Sequence, residues 1–194
     1  MLILASTSKI RAAILRNAGI AFEVQAPLTD ETELKLKAPQ RSGEQLALRL
    51  AEAKSLSLAT RHPEALILGA DQVLVCDGRI YDKPRNLHEA REHLAALSGK
   101  PHNLVSALYC SRHGAKTWSH VGIATLHMRA LTPAAIDRYL AKIGNDALTS
   151  VGTYKLEGLG VQLFDNIEGD YFTILGLPLL PLLAYLRAAG ELEE

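Results

Sequence analysis

Cysteine is nearly absent from this chain. The two present, Cys76 and Cys110, stand far apart in apolar surroundings. Neither disulfide nor zinc spacing is present, so both read as free core thiols. An excess of charge is missing too. Twenty-one basic and twenty-one acidic residues give a formal net charge of +0, which removes the surplus of Lys and Arg that stable nucleic-acid binding draws on. A local cationic pocket for a small anion stays open. No apolar run approaches the roughly 18 residues of a membrane span, and the richest, 174–186, is interrupted by Pro178 and Pro181. The opening Met1-Leu-Ile-Leu-Ala5 lacks the basic region and length of a signal peptide, so a soluble, cytoplasmic protein without a membrane partner is expected. Catalytic signatures are also missing. There is no Ser/His/Asp spacing, HExxH, CxxC or Walker sequence, and Gly158-Leu-Gly160 opens no helix, as a dinucleotide fingerprint must.

What is present suits one α/β domain over residues 1–194. Of the 194 residues 48% are hydrophobic, enough for a sizeable core, and no repeat or linker divides the chain. Leu66-Ile-Leu-Gly-Ala-Asp-Gln-Val-Leu-Val-Cys76 reads as a strand, Asp77-Gly78 as a hairpin turn, and a return strand leads to Lys83-Pro84. Asp71 interrupts that buried run, and an unpaired carboxylate there costs several kcal/mol. It has either a structural partner or a chemical role.

Elsewhere, Leu2–Ala5 reads as a first buried strand, and Ser8 as the N-cap of a helix to Gly19. Lys9 and Arg11 sit at that helix's positive end, a placement that a bound phosphate would favour. Residues 32–42 are expected to be a polar surface loop. An amphipathic helix is expected from Ser42-Gly43 to about Ala59, with Lys54 read as a solvated charge. Leu87–Leu97 and a segment from Thr132-Pro133 through Ile143 are helical, and strands are expected near 103–110 and 116–129. Glycines at 152, 158 and 160 suit close backbone approach around Lys155 and Glu157. Residues 167–172 read as a loop, followed by a C-terminal helix to about Ala189. Carboxylates beside lysines suit phosphoanhydride chemistry; the competing explanation is ordinary surface ion pairs, and spacing alone does not decide.

Six motifs, in order, resemble the Maf proteins. They are Leu4-Ala-Ser-Thr-Ser8 with Arg11, Asp30-Glu31, Gly69-Ala-Asp-Gln72, Asp82-Lys-Pro84, Val151-Gly-Thr-Tyr-Lys-Leu-Glu-Gly158 and Gly176-Leu-Pro178. The resemblance covers nearly the whole chain. It implies an inosine-triphosphatase-like fold, with a long twisted mixed β-sheet flanked by helices and two lobes around a central cleft. It implies a homodimer that hydrolyses a nucleoside triphosphate to monophosphate and pyrophosphate with Mg²⁺ or Mn²⁺. By the same resemblance Asp71 is the catalytic acid. Ser8, Arg11, Lys54, Lys83 and Lys155 contact phosphate or substrate, Glu31 and Asp71 hold the metal, and Ile10, Gln72 and Glu157 set specificity. Lys155-x-Glu157 resembles the branch acting on 7-methyl-GTP; the branch acting on dTTP and UTP usually has glutamine at 157. A nucleotide-sensing regulator of cell division is the alternative from another class. The family's usual acid after the Tyr139 helix is replaced by Ile143, and Asp146 is the candidate to stand in for it.

Overall fold

The apolar run Leu2–Ala5 becomes β1, with all four residues buried. It pairs in parallel with Phe22–Gln25 (β2) on one side and Leu66–Cys76 (β3) on the other. The computed structural model describes residues 1–36 and 42–192. Along the chain, α1 (Lys9–Asn17) joins β1 to β2, and α2 (Glu31–Leu36) and α3 (Gly43–Leu56) precede β3. After β3 come β4 (Arg79–Tyr81), α4 (Leu87–Leu97), β5 (Pro101–Arg112) and β6 (Ala115–Met128). The chain continues through α5 (Pro133–Ile143), β7 (Phe164–Glu168), α6 (Tyr171–Ile174) and α7 (Leu179–Ala188). Gly144–Thr149 and Leu159–Leu163 wind as 3₁₀ helices. Seven strands form one mixed sheet in the order β2-β1-β3-β5-β6-β7, with β4 on β3. The pairs β3/β4 and β6/β7 are antiparallel. The expected α/β class, a mixed sheet flanked by helices, is met.

Two compact units can be distinguished, one of residues 1–72, 105–122 and 170–194, the other of 73–104 and 123–169. In the first, alternation along β1 and β3 fills both faces of the sheet. Leu2, Leu4, Leu66 and Leu68 join Leu15 of α1 and Leu182 and Leu186 of α7 in one cluster. Ile3, Ala5 and Ile67 pack with Leu58, just beyond α3, in another. A strand covered on both faces has no use for polar alternation, which is why β1 reads as a plain apolar run. Each fully buried leucine contributes about 1.5–3 kcal/mol.

In the second unit α4 and α5 pack together and against the 144–149 turn, burying Leu94, Leu97, Ile136 and Leu140. Thr132 starts α5, its Oγ1 accepting the Ala135 N–H at 3.2 Å, with Pro133 at the first helical position. The hairpin turn also forms as read. Asp77 (φ 50°) and Gly78 (φ 75°) take left-handed conformations, and Cys76 pairs with Arg79 across a two-residue turn.

Several local expectations are corrected. The loop expected over 32–42 opens as a helix, because the Asp30 carboxylate accepts the Glu33 N–H at 3.0 Å and starts α2; residues 37–41 lie outside the described residues. The helix expected to reach Ala59 ends at Leu56. The loop expected over 167–172 is the end of β7 and the start of α6, where Asp170 caps the turn. No helix among the described residues is long and apolar enough to cross a membrane.

Candidate functional site

Alternation along β3 sends Ile67, Gly69 and Asp71 to the face that carries α3, and Leu68, Ala70 and Gln72 to the other. Gly69 decides how close α3 comes. A Cβ there would stand 2.0 Å from the Ala51 carbonyl oxygen and 2.8 Å from the Ser55 nitrogen, so only glycine lets the helix backbone rest on the strand. Ser55 secures the contact, its Oγ donating to the Ile67 carbonyl at 2.8 Å. Its neighbour Lys54 then meets Asp71. Lys54 Nζ donates to Asp71 Oδ1 at 2.6 Å and pairs with Glu31 Oε1 at 2.9 Å.

Lys54 is therefore 6% exposed, which corrects the reading of a solvated helix charge. The helix is pressed onto the strand at Gly69, and the lysine's ammonium meets the carboxylate pair. Asp71 has the partner that its burial requires.

Arg11 reaches the other side of the same strand. Its Nε donates to the Gly176 carbonyl and its Nη1 to the Ala70 carbonyl, both at 2.8 Å. Burial lowers the guanidinium pKa, while the nearby charges of Asp71 and Glu31 raise it; at neutral pH it stays charged. These partners offset the cost of a cation in the first turn of α1. Ser8 caps that helix, its Oγ accepting the Arg11 N–H at 3.4 Å, and its hydroxyl proton remains available to a phosphate oxygen. Ile10 is half-buried against the apolar cluster beneath. Gln72 donates its amide protons to Ser106 and to two carbonyls of α6.

The first unit thus brings together Ser8, Arg11, Glu31, Lys54 and Asp71, with Ile10 and Gln72 adjoining. The remaining sequence-derived candidates lie in the second unit. Lys83 is exposed, two residues past β4. Lys155 and Glu157 line a pocket with Asp146, Tyr139 and Ile143. Lys155 forms an ion pair with Asp146, so the acid that was a candidate replacement lies in the same pocket as Ile143.

The glycines shape this pocket from within. A Cβ on Gly160 would meet the Lys155 carbonyl oxygen at 2.4 Å, and one on Gly152 the Tyr154 ring at 2.3 Å. Tyr154 Oη lies 2.7 Å from His102 Nε2. Burial lowers the His102 pKa to about 4 and pushes the Tyr154 hydroxyl up. The imidazole beneath the loop is therefore neutral at physiological pH.

The sequence reading missed Ser55, Ser106, Asp170 and Thr173 as supports of the site. Ser106 carried a signal: it is a lone hydroxyl inside the apolar run Leu104–Leu108, as Asp71 is a lone acid in its own. Thr173 acts through its main-chain carbonyl, which no side-chain pattern reveals.

Among the described residues no group of three or more His, Cys, Asp and Glu side chains could hold a metal ion. Magnesium does not require one, because it is commonly bound through one or two carboxylates and completed by water and substrate phosphates. Asp71 and Glu31 converge on a single cationic atom, Lys54 Nζ. Two hard oxygen donors facing one positive centre fit such an ion.

Comparison with known proteins places the chain in a family. The family model described as Maf-like protein matches residues 1–189. The chain belongs to this family. Among individual Maf-like relatives, the chain is 51% identical to the 7-methyl-GTP pyrophosphatase of Rhizobium meliloti (strain 1021), covering 100% of this chain and 98% of the relative. It is 52% identical to the 7-methyl-GTP pyrophosphatase of Mesorhizobium japonicum, covering 99% and 98%. It is 46% identical to the nucleoside triphosphate pyrophosphatase of Nitrobacter hamburgensis, covering 99% and 95%. The Maf resemblance read from six motifs is borne out.

Proposed function

We propose that this Maf-like protein is a nucleoside triphosphate pyrophosphatase acting on modified nucleotides such as 7-methyl-GTP. The observation that carries the proposal is the buried Lys54 ammonium bridging Asp71 and Glu31, with the Arg11 guanidinium near both carboxylates. Two acids and two bases converge, as hydrolysis of a phosphoanhydride requires. Water attacks the α-phosphorus, the bond to the bridging oxygen breaks, and pyrophosphate leaves with the electron pair. Asp71 takes the proton of the attacking water. Lys54 holds that carboxylate in place, and Arg11 and the Ser8 end of α1 supply positive potential for the phosphates. Asp71 and Glu31 would hold Mg²⁺ or Mn²⁺, which when bound polarises phosphoryl oxygens.

The choice of 7-methyl-GTP rests on the names of the relatives and on the pocket of Lys155, Glu157 and Asp146. Lys155 is neutralised by Asp146, which leaves the Glu157 charge to favour a cationic methylated guanine. The test is pyrophosphate release from a nucleotide panel with and without divalent cation. Asp71→Asn should lower kcat by at least about 10²-fold; unchanged turnover would refute the role of Asp71. Faster turnover of dTTP or UTP would move the protein to that other substrate class. Nucleotide binding without turnover would support the sensing reading instead. A homodimer, expected from the resemblance, is part of the same proposal and is tested by light scattering after gel filtration.

A further inference from the structure

Asp71 and Gln72 are consecutive, yet they work on opposite faces of β3. Asp71 meets α3, while Gln72 meets β5 and the end of α6. Gln72 Nε2 lies 2.9 Å from Ser106 Oγ, 3.1 Å from the Thr173 carbonyl oxygen and 2.9 Å from that of Ile174. Carbonyl oxygens only accept, so chemistry identifies the nitrogen end of the carboxamide without ambiguity. Its two protons are taken up by these acceptors.

Ser106 completes the assignment. It is 0% exposed, and its Oγ donates to the Thr173 carbonyl at 2.7 Å; toward Gln72 it can only accept. Thr173 is anchored in turn, its N–H and hydroxyl lying 2.7 and 3.0 Å from Asp170 Oδ2. Turning the Gln72 carboxamide over would set its oxygen against two carbonyls and leave buried acceptors unpaired. Gln72 Oε1, by contrast, accepts no hydrogen bond among the described residues. The Gln72 carboxamide also lies beside Arg11: a Cβ on Gly176 would stand 3.3 Å from Arg11 Nη2 and 3.7 Å from Gln72 Cδ.

We propose that Ser106 is a positioning residue that, with the Thr173 and Ile174 carbonyls, locks Gln72 as a hydrogen-bond acceptor, so that this position selects a nucleobase edge presenting a ring N–H. The bases in question are of the guanine or uracil class, and a ring nitrogen without hydrogen would meet the Gln72 oxygen lone pair to lone pair. The inference rests on the pyrophosphatase reading and deepens it by naming what the base must offer.

The test compares GTP or UTP, whichever turns over faster, with its form methylated on the ring N–H. For the wild type, KM should rise at least about ten-fold on methylation while kcat changes little. Ser106→Ala removes one of three acceptors and the donor that fixes the Thr173 carbonyl, so the carboxamide loosens and that ratio should fall to about three-fold or less; Ser106→Thr, which keeps the hydroxyl, should restore it. A change confined to KM, and its rescue by threonine, are readouts that a merely structural role would not move. A methylation ratio unchanged in Ser106→Ala overturns the proposal even if the variant is less stable.

Failure of the enzymatic reading is separately visible. If the wild type releases pyrophosphate from no triphosphate, that reading falls. Base selection is then measured by calorimetry with the corresponding monophosphate and its ring-methylated form. Equal binding of the two, or no binding of either, overturns this inference as well.

Discussion

Removing the Lys54 ammonium while keeping its bulk, as in Lys54→Met, should destabilise the fold and leave a defined electrostatic signature. Lys54 and Asp71 side chains are 8% and 9% exposed, with Nζ 2.6 Å from the carboxylate. At an effective dielectric of about 20, such a contact has a gross Coulomb energy of about 6 kcal/mol before desolvation. The Glu31 contact is similarly short, at 2.9 Å, but Glu31 is 44% exposed, and solvent reduces its contribution to about 1 kcal/mol or less. Breaking a buried pair from one side costs about 3–5 kcal/mol, because the remaining charge stays buried without compensation. The Arg11 guanidinium nearby offsets part of this, and methionine replaces the aliphatic stem with little packing loss. The expected loss at neutral pH is therefore about 3 kcal/mol.

Urea unfolding at about pH 8 would measure it, with the m-value constant between variant and wild type. Mg²⁺ should also raise the variant's stability more than the wild type's, since it can replace the missing cation. A loss below about 1 kcal/mol would refute the view that Lys54 is the charge that Asp71 depends on.

Other outcomes follow from the same geometry. Gly69→Ala places a methyl group inside the α3 backbone and should cost about 3 kcal/mol or more in chemical denaturation; a loss under about 1 kcal/mol would mean that α3 does not depend on this contact. His102 is neutral down to about pH 4, against 6.5 for an unperturbed histidine, so on acidification the unfolded chain takes up the proton first. Its contribution is complete above about pH 6.5 and erodes by up to about 3 kcal/mol by about pH 4; thermal melts across that window should be flatter for His102→Gln. Glu157→Gln should lower the preference for 7-methyl-GTP over dTTP by about ten-fold or more, and an unchanged ratio would remove Glu157 from base selection.

Local features were legible in the residues because their causes are local. Asp77-Gly78 specifies its turn through backbone conformations that few other residues accept. Thr132-Pro133 and Ser8 start their helices with groups only three residues away from what they bind. The misplaced acid in an apolar strand was visible as an energetic anomaly, and six ordered motifs were enough to identify the family. The misjudged loop at 32–36 was also local, since the Asp30 cap was present in the sequence but no apolar period accompanied it.

By itself, then, the sequence determined the family, the strand that carries Asp71, and the helix ends and hairpin around it. Tertiary structure alone decided what the side chains are free to do. Lys54 is a buried partner of Asp71 because Gly69, 15 positions along the chain, admits its helix to the strand. Arg11 is held by carbonyls 59 and 165 residues distant. Gln72 offers an acceptor because carbonyls 101 and 102 residues away take its protons. Such partners are main-chain atoms, present at every residue and marked by no side-chain pattern, so only the folded backbone selects which of them meet the site.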